Sequence, residues 1–136
     1  MRKPFSKLLF GGLGILLLSG LAALGFYLKS VADYRQAVRE ISIQPPPLSQ
    51  VADGVYVGRW DVGLVAAAVE VKMQGGVIQS VRILEHKNQR GQPAEAVIEE
   101  IVTEQRVDVD AVSGATNSSL VLQKAVEQAL KQGVSS

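Results

Sequence analysis

No cysteine occurs anywhere in this chain, and His86 is its only histidine. The first absence excludes disulfides, thiolate metal sites, iron–sulfur clusters and cysteine nucleophiles. The second argues against a multi-histidine metal site, so no metal centre is expected, and any redox chemistry must come from a bound organic cofactor. Aromatic residues are few, and Tyr56 and Trp60 are the only two beyond residue 48. Either can stack on a flat ring or pack beside a small core. A basic stripe is also missing. Residues 1–47 carry six basic and two acidic side chains, net +4, and the remainder carries eight basic and eleven acidic, net −3. An acidic domain of this kind is a poor partner for nucleic acid.

What is present begins with a long apolar run. Leu8 to Leu28 holds 21 uncharged, mostly apolar residues behind Arg2, Lys3 and Lys7. At ~1.5 Å per residue this run spans about 30 Å, the thickness of a bilayer's hydrocarbon core, which predicts a transmembrane helix. A cleaved signal peptide is the competing reading; the length of the run and the lack of an A-x-A site at its end favour an anchor. The short basic tail is expected to stay in the cytoplasm and place the rest of the chain outside it. Gly11, Gly14, Ser19, Gly20 and Ala23 give the helix small faces at which a second helix could pack.

From Lys29 to Gln44 an amphipathic pattern continues, with Val31, Tyr34, Val38 and Ile41 spaced by three and four, until Pro45-Pro46-Pro47 stops it. A solvated stalk or a short coiled coil both fit. The expected organisation is therefore an anchor over 1–30, a stalk and proline-rich linker over 31–47, and one domain over 48–136.

That domain opens at Asp53-Gly54 with a short β-type run, Val55 to Trp60. After Gly63, Leu64 to Met73 alternates apolar Val65, Ala67, Val69, Val71 and Met73 with Glu70 and Lys72, which predicts a strand with one buried face. Gly75-Gly76 is a hairpin turn, and Val77 to Glu85 returns with Val77, Val81 and Ile83 expected on one face. His86 to Gln92 reads as a loop. Pro93 then suits a helix start, with Ala94, Val97, Ile98, Ile101 and Val102 as its apolar stripe. Val107 to Val109 is a brief strand or an extended connector, and a last helix follows, which Gly133 is placed to cap. The order predicts an α+β fold: an N-terminal transmembrane helix, then a small antiparallel three-strand meander covered by two helices.

The chemically unusual stretch is Asp110-Ala111-Val112-Ser113-Gly114-Ala115-Thr116. It joins the Val107–Val109 segment to a helix whose apolar face includes Ser119, Leu122, Val126, Ala129 and Leu130. Gly114 permits backbone angles closed to other residues, Ser113 and Ala115 are small, and Thr116 or Asn117 is the expected N-cap. The first N–H groups of that helix would hold a phosphate beside the Thr116 hydroxyl.

Asp110, Ser113, Gly114, Ala115 and Thr116 match the pattern Asp-x-x-(Ser/Thr)-Gly-Ala-Thr, and the chain resembles the FMN-binding domains that carry it. The likeness starts at Asp53-Gly54-Val55-Tyr56-Val57-Gly58, covers roughly residues 48 to 133, and takes in His86-Lys87-Asn88 with Gly91, as in a branch of small membrane-anchored members. In that family the last threonine is joined to FMN by a phosphoester, installed by a separate flavin transferase that uses FAD and magnesium. The resemblance thus implies Thr116 as an attachment point, with Asp110, Ser113, Gly114 and Ala115 shaping the loop around the phosphate. It moves His86 from a plain hydrogen-bonding residue towards the flavin pocket, although Asn88-Gln89 stands where other members have Glu-Thr.

No residue of the chain is expected to be catalytic in its own right. The implied role is a membrane-tethered carrier in extracytoplasmic electron transfer, its partners a flavin transferase and redox proteins or a quinone-linked membrane complex. An anchored, non-redox ligand- or partner-binding module is the alternative, in which Thr116 is only a helix cap. A hydrolase using Ser113 or Thr116 would need a base, and His86 is the only histidine.

Overall fold

The computed structural model describes residues 4–87 and 92–135, with the backbone path alone for residues 4–10. Asn88 to Gly91, and with them the Asn88-Gln89 departure from the family pattern, lie outside the described residues.

The first helix, α1, runs without a break over Pro4–Arg39. Its segment Gly11–Arg39 is long and apolar enough to cross a membrane, and Leu16, Leu18, Leu21 and Phe26 stand exposed on it. The helix ends at Arg39, earlier than the amphipathic spacing to Gln44 predicts. The reason is tertiary. Residues 41–47 are extended, with Ile41 and Ile43 turned to the core and Ser42 and Gln44 outward, a period of two that the β-branched pair favours.

Three strands follow: β1 over Gly54–Asp61, β2 over Ala66–Gln74 and β3 over Val77–Lys87, paired antiparallel in the order β1-β2-β3. The β2–β3 turn is Gly75-Gly76 with φ of +60° and +74°, the doubly left-handed turn that suits the twist of a two-residue hairpin. Val65, Ala67, Val69, Val71 and Met73 are buried as the alternation predicts, but Ala66 and Ala68 are buried as well, so only the second half of β2 has a single buried face.

On β3 the expected face is partly wrong. Ile78 is buried and Val77 is exposed, because the register shifts between Lys72 and Met73: Met73 pairs with Ile78, and Lys72 with Ser80. Gln79 is the extra residue of this bulge, so Ile78 and Val81 share a face although they are three apart. A second shift, at Leu84, carries the strand on through His86. His86 therefore sits on a strand and not in the loop that its polar neighbours suggest.

Helix α2, Ala96–Glu104, enters through a 3₁₀ turn at Gln92–Glu95 and packs on β3. Its buried residues Val97, Ile98 and Ile101 are those of the predicted stripe. Helix α3, Thr116–Gln132, covers β1 and β2. Val107–Val109 forms no strand; it is an extended connector with Val107 and Val109 buried and Asp108 exposed. The other face of the sheet carries the ion pairs Arg59–Glu85 and Arg82–Glu70.

Two glycines fix the helix-to-sheet distance. A Cβ on Gly58 would lie 1.9 Å from the Ala125 carbonyl oxygen, and one on Gly133 would lie 2.7 Å from both Tyr56 and Val51. Gly133 does cap α3, its N–H reaching the Leu130 and Lys131 carbonyls, but at φ −88°. It is glycine for lack of room, not for a left-handed cap.

Candidate functional site

Contacts along α3 set its direction over the sheet. Gly133 abuts Tyr56, Gln132 Nε2 donates to the Val57 carbonyl at 2.6 Å, Ala125 and Ala129 abut Gly58, and Lys124 Nζ stands 5.3 Å from the centre of the Trp60 ring. The helix thus runs antiparallel to β1. Its N-terminus, with Thr116, points past Trp60 to the end of the sheet where β1 turns into the Gly63 loop and β3 closes at Lys87.

At that end one row crosses the sheet: Trp60 pairs with Ala67, and Ala67 with His86. Directly paired residues project to the same side, so His86 lies under the helical layer. Its side chain is 2% exposed, and Nδ1 lies 3.2 Å from Glu95 Oε1. Glu95 belongs to the 3₁₀ turn that packs against α3. Trp60 Nε1 is buried and has no hydrogen-bond partner among the described residues.

The Thr116 turn is held by a device that sequence patterning conceals. Ser119, Gln123 and Glu127 are buried, four residues apart, on one line of α3. Each secures a segment that no sheet or helix holds. The Ser119 hydroxyl accepts the Val112 N–H at 3.0 Å and donates to the Ala115 carbonyl at 2.8 Å. Gln123 Nε2 donates to the Val109 carbonyl at 2.6 Å, in place of a strand partner. Glu127 Oε1 accepts the Gln44 N–H at 2.5 Å. In a helix with ten polar residues out of seventeen, the four-residue spacing of these three does not stand out in the sequence; of the three, only Ser119 falls on the expected apolar face.

Glu127 also meets Lys124 Nζ at 2.5 Å and Lys131 Nζ at 3.6 Å. Burial by itself would raise its pKa. The hydrogen bonds from Lys124 and from Gln44, with the charges of Lys124 and Lys131, outweigh burial and hold the carboxyl below the ordinary value.

With the turn secured, its front is open. Asp110, Ser113, Gly114 and Thr116 are exposed, and Ala115 is buried beneath them. Gly114 has φ +80°, and a Cβ there would meet nothing within 4 Å, so conformation and not crowding requires glycine. The N-cap is Ala115, not Thr116 or Asn117, and no side chain caps the helix. The reason is again Ser119, whose N–H and hydroxyl both go to the Ala115 carbonyl and draw that residue into the cap. Thr116 becomes the first helical residue, and its side chain is not engaged in capping.

The first intrahelical bond is donated by Ser119, so the N–H groups of Thr116, Asn117 and Ser118 precede the helix's own ladder. They carry the positive end of the helix dipole beside an exposed hydroxyl.

A family model for the FMN-binding domain matches residues 63–131. The chain belongs to this family. No curated protein matches it. The matched span takes in β2, β3, α2, the Thr116 turn and nearly all of α3. Membership supports FMN as the ligand, and the turn has the chemistry for it. The helix N-terminus suits a phosphate, the space before Gly114 is clear, and the buried indole N–H of Trp60 is a donor with no acceptor in the described protein. Among the described residues no cluster of three or more histidine or acidic side chains could hold a metal ion.

Proposed function

We propose that the chain carries FMN through a phosphoester to Thr116 and works as a membrane-tethered electron carrier outside the cytoplasm. The observation that carries this reading is Thr116 itself, an exposed hydroxyl freed from capping, at a helix N-terminus, within the family's motif. In the transfer, the Thr116 oxygen bonds to the riboflavin-side phosphorus of FAD, the diphosphate P–O bond breaks, and AMP leaves with the hydroxyl proton. A separate transferase supplies the magnesium and the catalysis. Within this chain, Gly114 turns the backbone, Ser119 holds the loop through Val112 and Ala115, and the helix N–H groups stabilise the phosphate's charge.

When bound, FMN supplies one- and two-electron chemistry. The protein's part is to position the flavin and to fix the charges around it. Asp110 and Ser113 are exposed on the segment that leads to the attachment residue, and His86 with Glu95 lies at the same end of the sheet. The apolar α1 supports a single-pass anchor, and the basic Arg2, Lys3 and Lys7 before its apolar run favour a cytoplasmic N-terminus.

The test is co-expression of the full chain with a flavin transferase, followed by denaturation, intact mass and in-gel flavin fluorescence. A gain of one FMN less one water, absent in Thr116→Ala, is the expected result. An unmodified chain beside a transferase shown to be active on another substrate would refute the covalent reading.

A further inference from the structure

The domain does not hang from its anchor on a free tether. Helix α1 is continuous from the apolar run to Arg39, and at its upper end Val38 is buried in the domain core, with Tyr34 and Ala37 packed beside it. The chain beyond is clasped to α3, since Lys124 Nζ donates to the Ser42 carbonyl at 2.9 Å and Glu127 accepts from Gln44. Only ten residues, about 15 Å of helix, separate Leu28 from Val38.

The β1–β2 loop reaches lower still. It lines a cleft of about 500 Å³ with α1, in which Asp61, Gly63 and Leu64 face Ser30, Asp33 and Tyr34. Ser30 is two residues past Leu28, or roughly 3 Å along the helix axis. The headgroup layer on each side of a bilayer is about 5–7 Å deep. If α1 crosses the membrane, the loop lies at headgroup depth.

Its chemistry suits that place. Gly63 N–H is held by Asp61 Oδ1 at 2.7 Å and the Gly63 carbonyl by Lys87 Nζ at 3.1 Å, so the loop is braced, with half-buried Leu64 at its tip and an exposed lysine beside it. Exposed Asp61 and Lys87 put a charge of each sign beside half-buried Leu64, a mixed polar and apolar edge that fits the headgroup layer, where the lysine meets lipid phosphate. The Gly75-Gly76 hairpin stands at the opposite end of the sheet, where Asp53 Oδ1 accepts the Gly75 N–H. Nine residues of β2, about 30 Å, separate the two ends.

We propose that the β1–β2 loop, with Lys87, rests on the headgroups of the bilayer that α1 spans, seating the domain with its Thr116 end towards the membrane. This rests on reading α1 as membrane-spanning. It makes the flavin's electron partner one that lies at or in the membrane surface, not a soluble carrier docking on the distal hairpin.

The absence of cysteine makes the test clean. Single cysteines are placed at Leu18, Leu64 and Gln74 in the full chain, labelled with a polarity-sensitive fluorophore and reconstituted into nanodiscs containing anionic lipid. Quenching is read with nitroxides on the lipid headgroup or mid-chain. The expected pattern is mid-chain quenching at Leu18, and headgroup quenching several-fold stronger at Leu64 than at Gln74. The same pattern is expected in a Thr116→Ala background, which separates seating from flavin attachment. Equal headgroup quenching at Leu64 and Gln74, with Leu18 still quenched, overturns the seating and leaves the span intact. Failure to quench Leu18 overturns the span and the seating with it.

Discussion

Gly58→Ala is the substitution with the most to say about how the Thr116 turn is positioned. Gly58 lies mid-strand on β1, and the added Cβ would meet the Ala125 carbonyl oxygen at 1.9 Å, the Ala129 nitrogen at 2.4 Å and the Ala129 Cβ at 2.9 Å. The closest contact falls more than 1 Å short of the 3.0 Å below which real Cβ atoms essentially never approach. Two of the three obstacles are helix backbone, so no side-chain rotation relieves them. Helix α3 must move away as a body, drawing Leu122, Val126 and Ala129 off a sheet against which they are fully buried. Overpacking in cores costs about 1–3 kcal/mol where side chains can adjust. Here they cannot, and we expect about 3 kcal/mol or more, against a total stability of about 5–15 kcal/mol. In a domain of this size that lowers the melting temperature by roughly 12–24 °C. The assay is thermal unfolding of the full chain in detergent, with Gly63→Ala as comparator. At Gly63 nothing lies within 4 Å of the added carbon, and only the φ of +96° is penalised, by about 1 kcal/mol. A Gly58→Ala protein within about 1 kcal/mol of wild type would refute the close approach.

Two further outcomes follow from buried polar contacts. Glu127 has a depressed pKa, so its stabilisation is complete above the ordinary glutamate value of 4.5 and is lost as pH falls through the lower folded value. Denaturant titrations across that acid range should show wild-type stability falling, whereas Glu127→Gln loses about 1–3 kcal/mol at neutral pH and shows less of the acid decline; an unchanged pH profile in the variant would count against the clasp. Gln105 sits at φ +55° and pairs its side chain with the Ile78 N–H at 2.8 Å, the Ile78 carbonyl at 2.9 Å and the Val102 carbonyl at 2.7 Å, closing the free edge of β3. Gln105→Ala should cost about 1–3 kcal/mol, and Gln105→Gly about 1 kcal/mol less than Ala because glycine relieves the backbone, an order that unfolding midpoints test directly.

Much of the fold was legible because it rests on periodicity. The alternation from Val65 to Met73 and the stripe Ala94, Val97, Ile98, Ile101 and Val102 are local statements about which side of an element is apolar, and burial followed them except at Val102, which is half-buried, and at Ala66 and Ala68, which are buried on the opposite face of β2. The pattern failed where an extra residue entered. Gln79 reverses the alternation of β3, and nothing in its own chemistry marks it as a bulge. The polar neighbours of His86 give it the pattern of a loop residue, although a strand at the end of a sheet tolerates them.

The sequence alone determined the apolar N-terminal helix, the meander and the motif around Thr116, because each is encoded by residues adjacent or periodic in the chain. Only the tertiary structure decided that Ala115 caps α3 and leaves Thr116 uncommitted, that Glu127 clasps the stalk, and that the Thr116 end of the domain lies beside the upper end of α1. Those outcomes depend on partners up to 83 positions apart. A hydrogen bond or a packing contact between such residues leaves no period in the chain, and exists only once the helix has settled on the sheet.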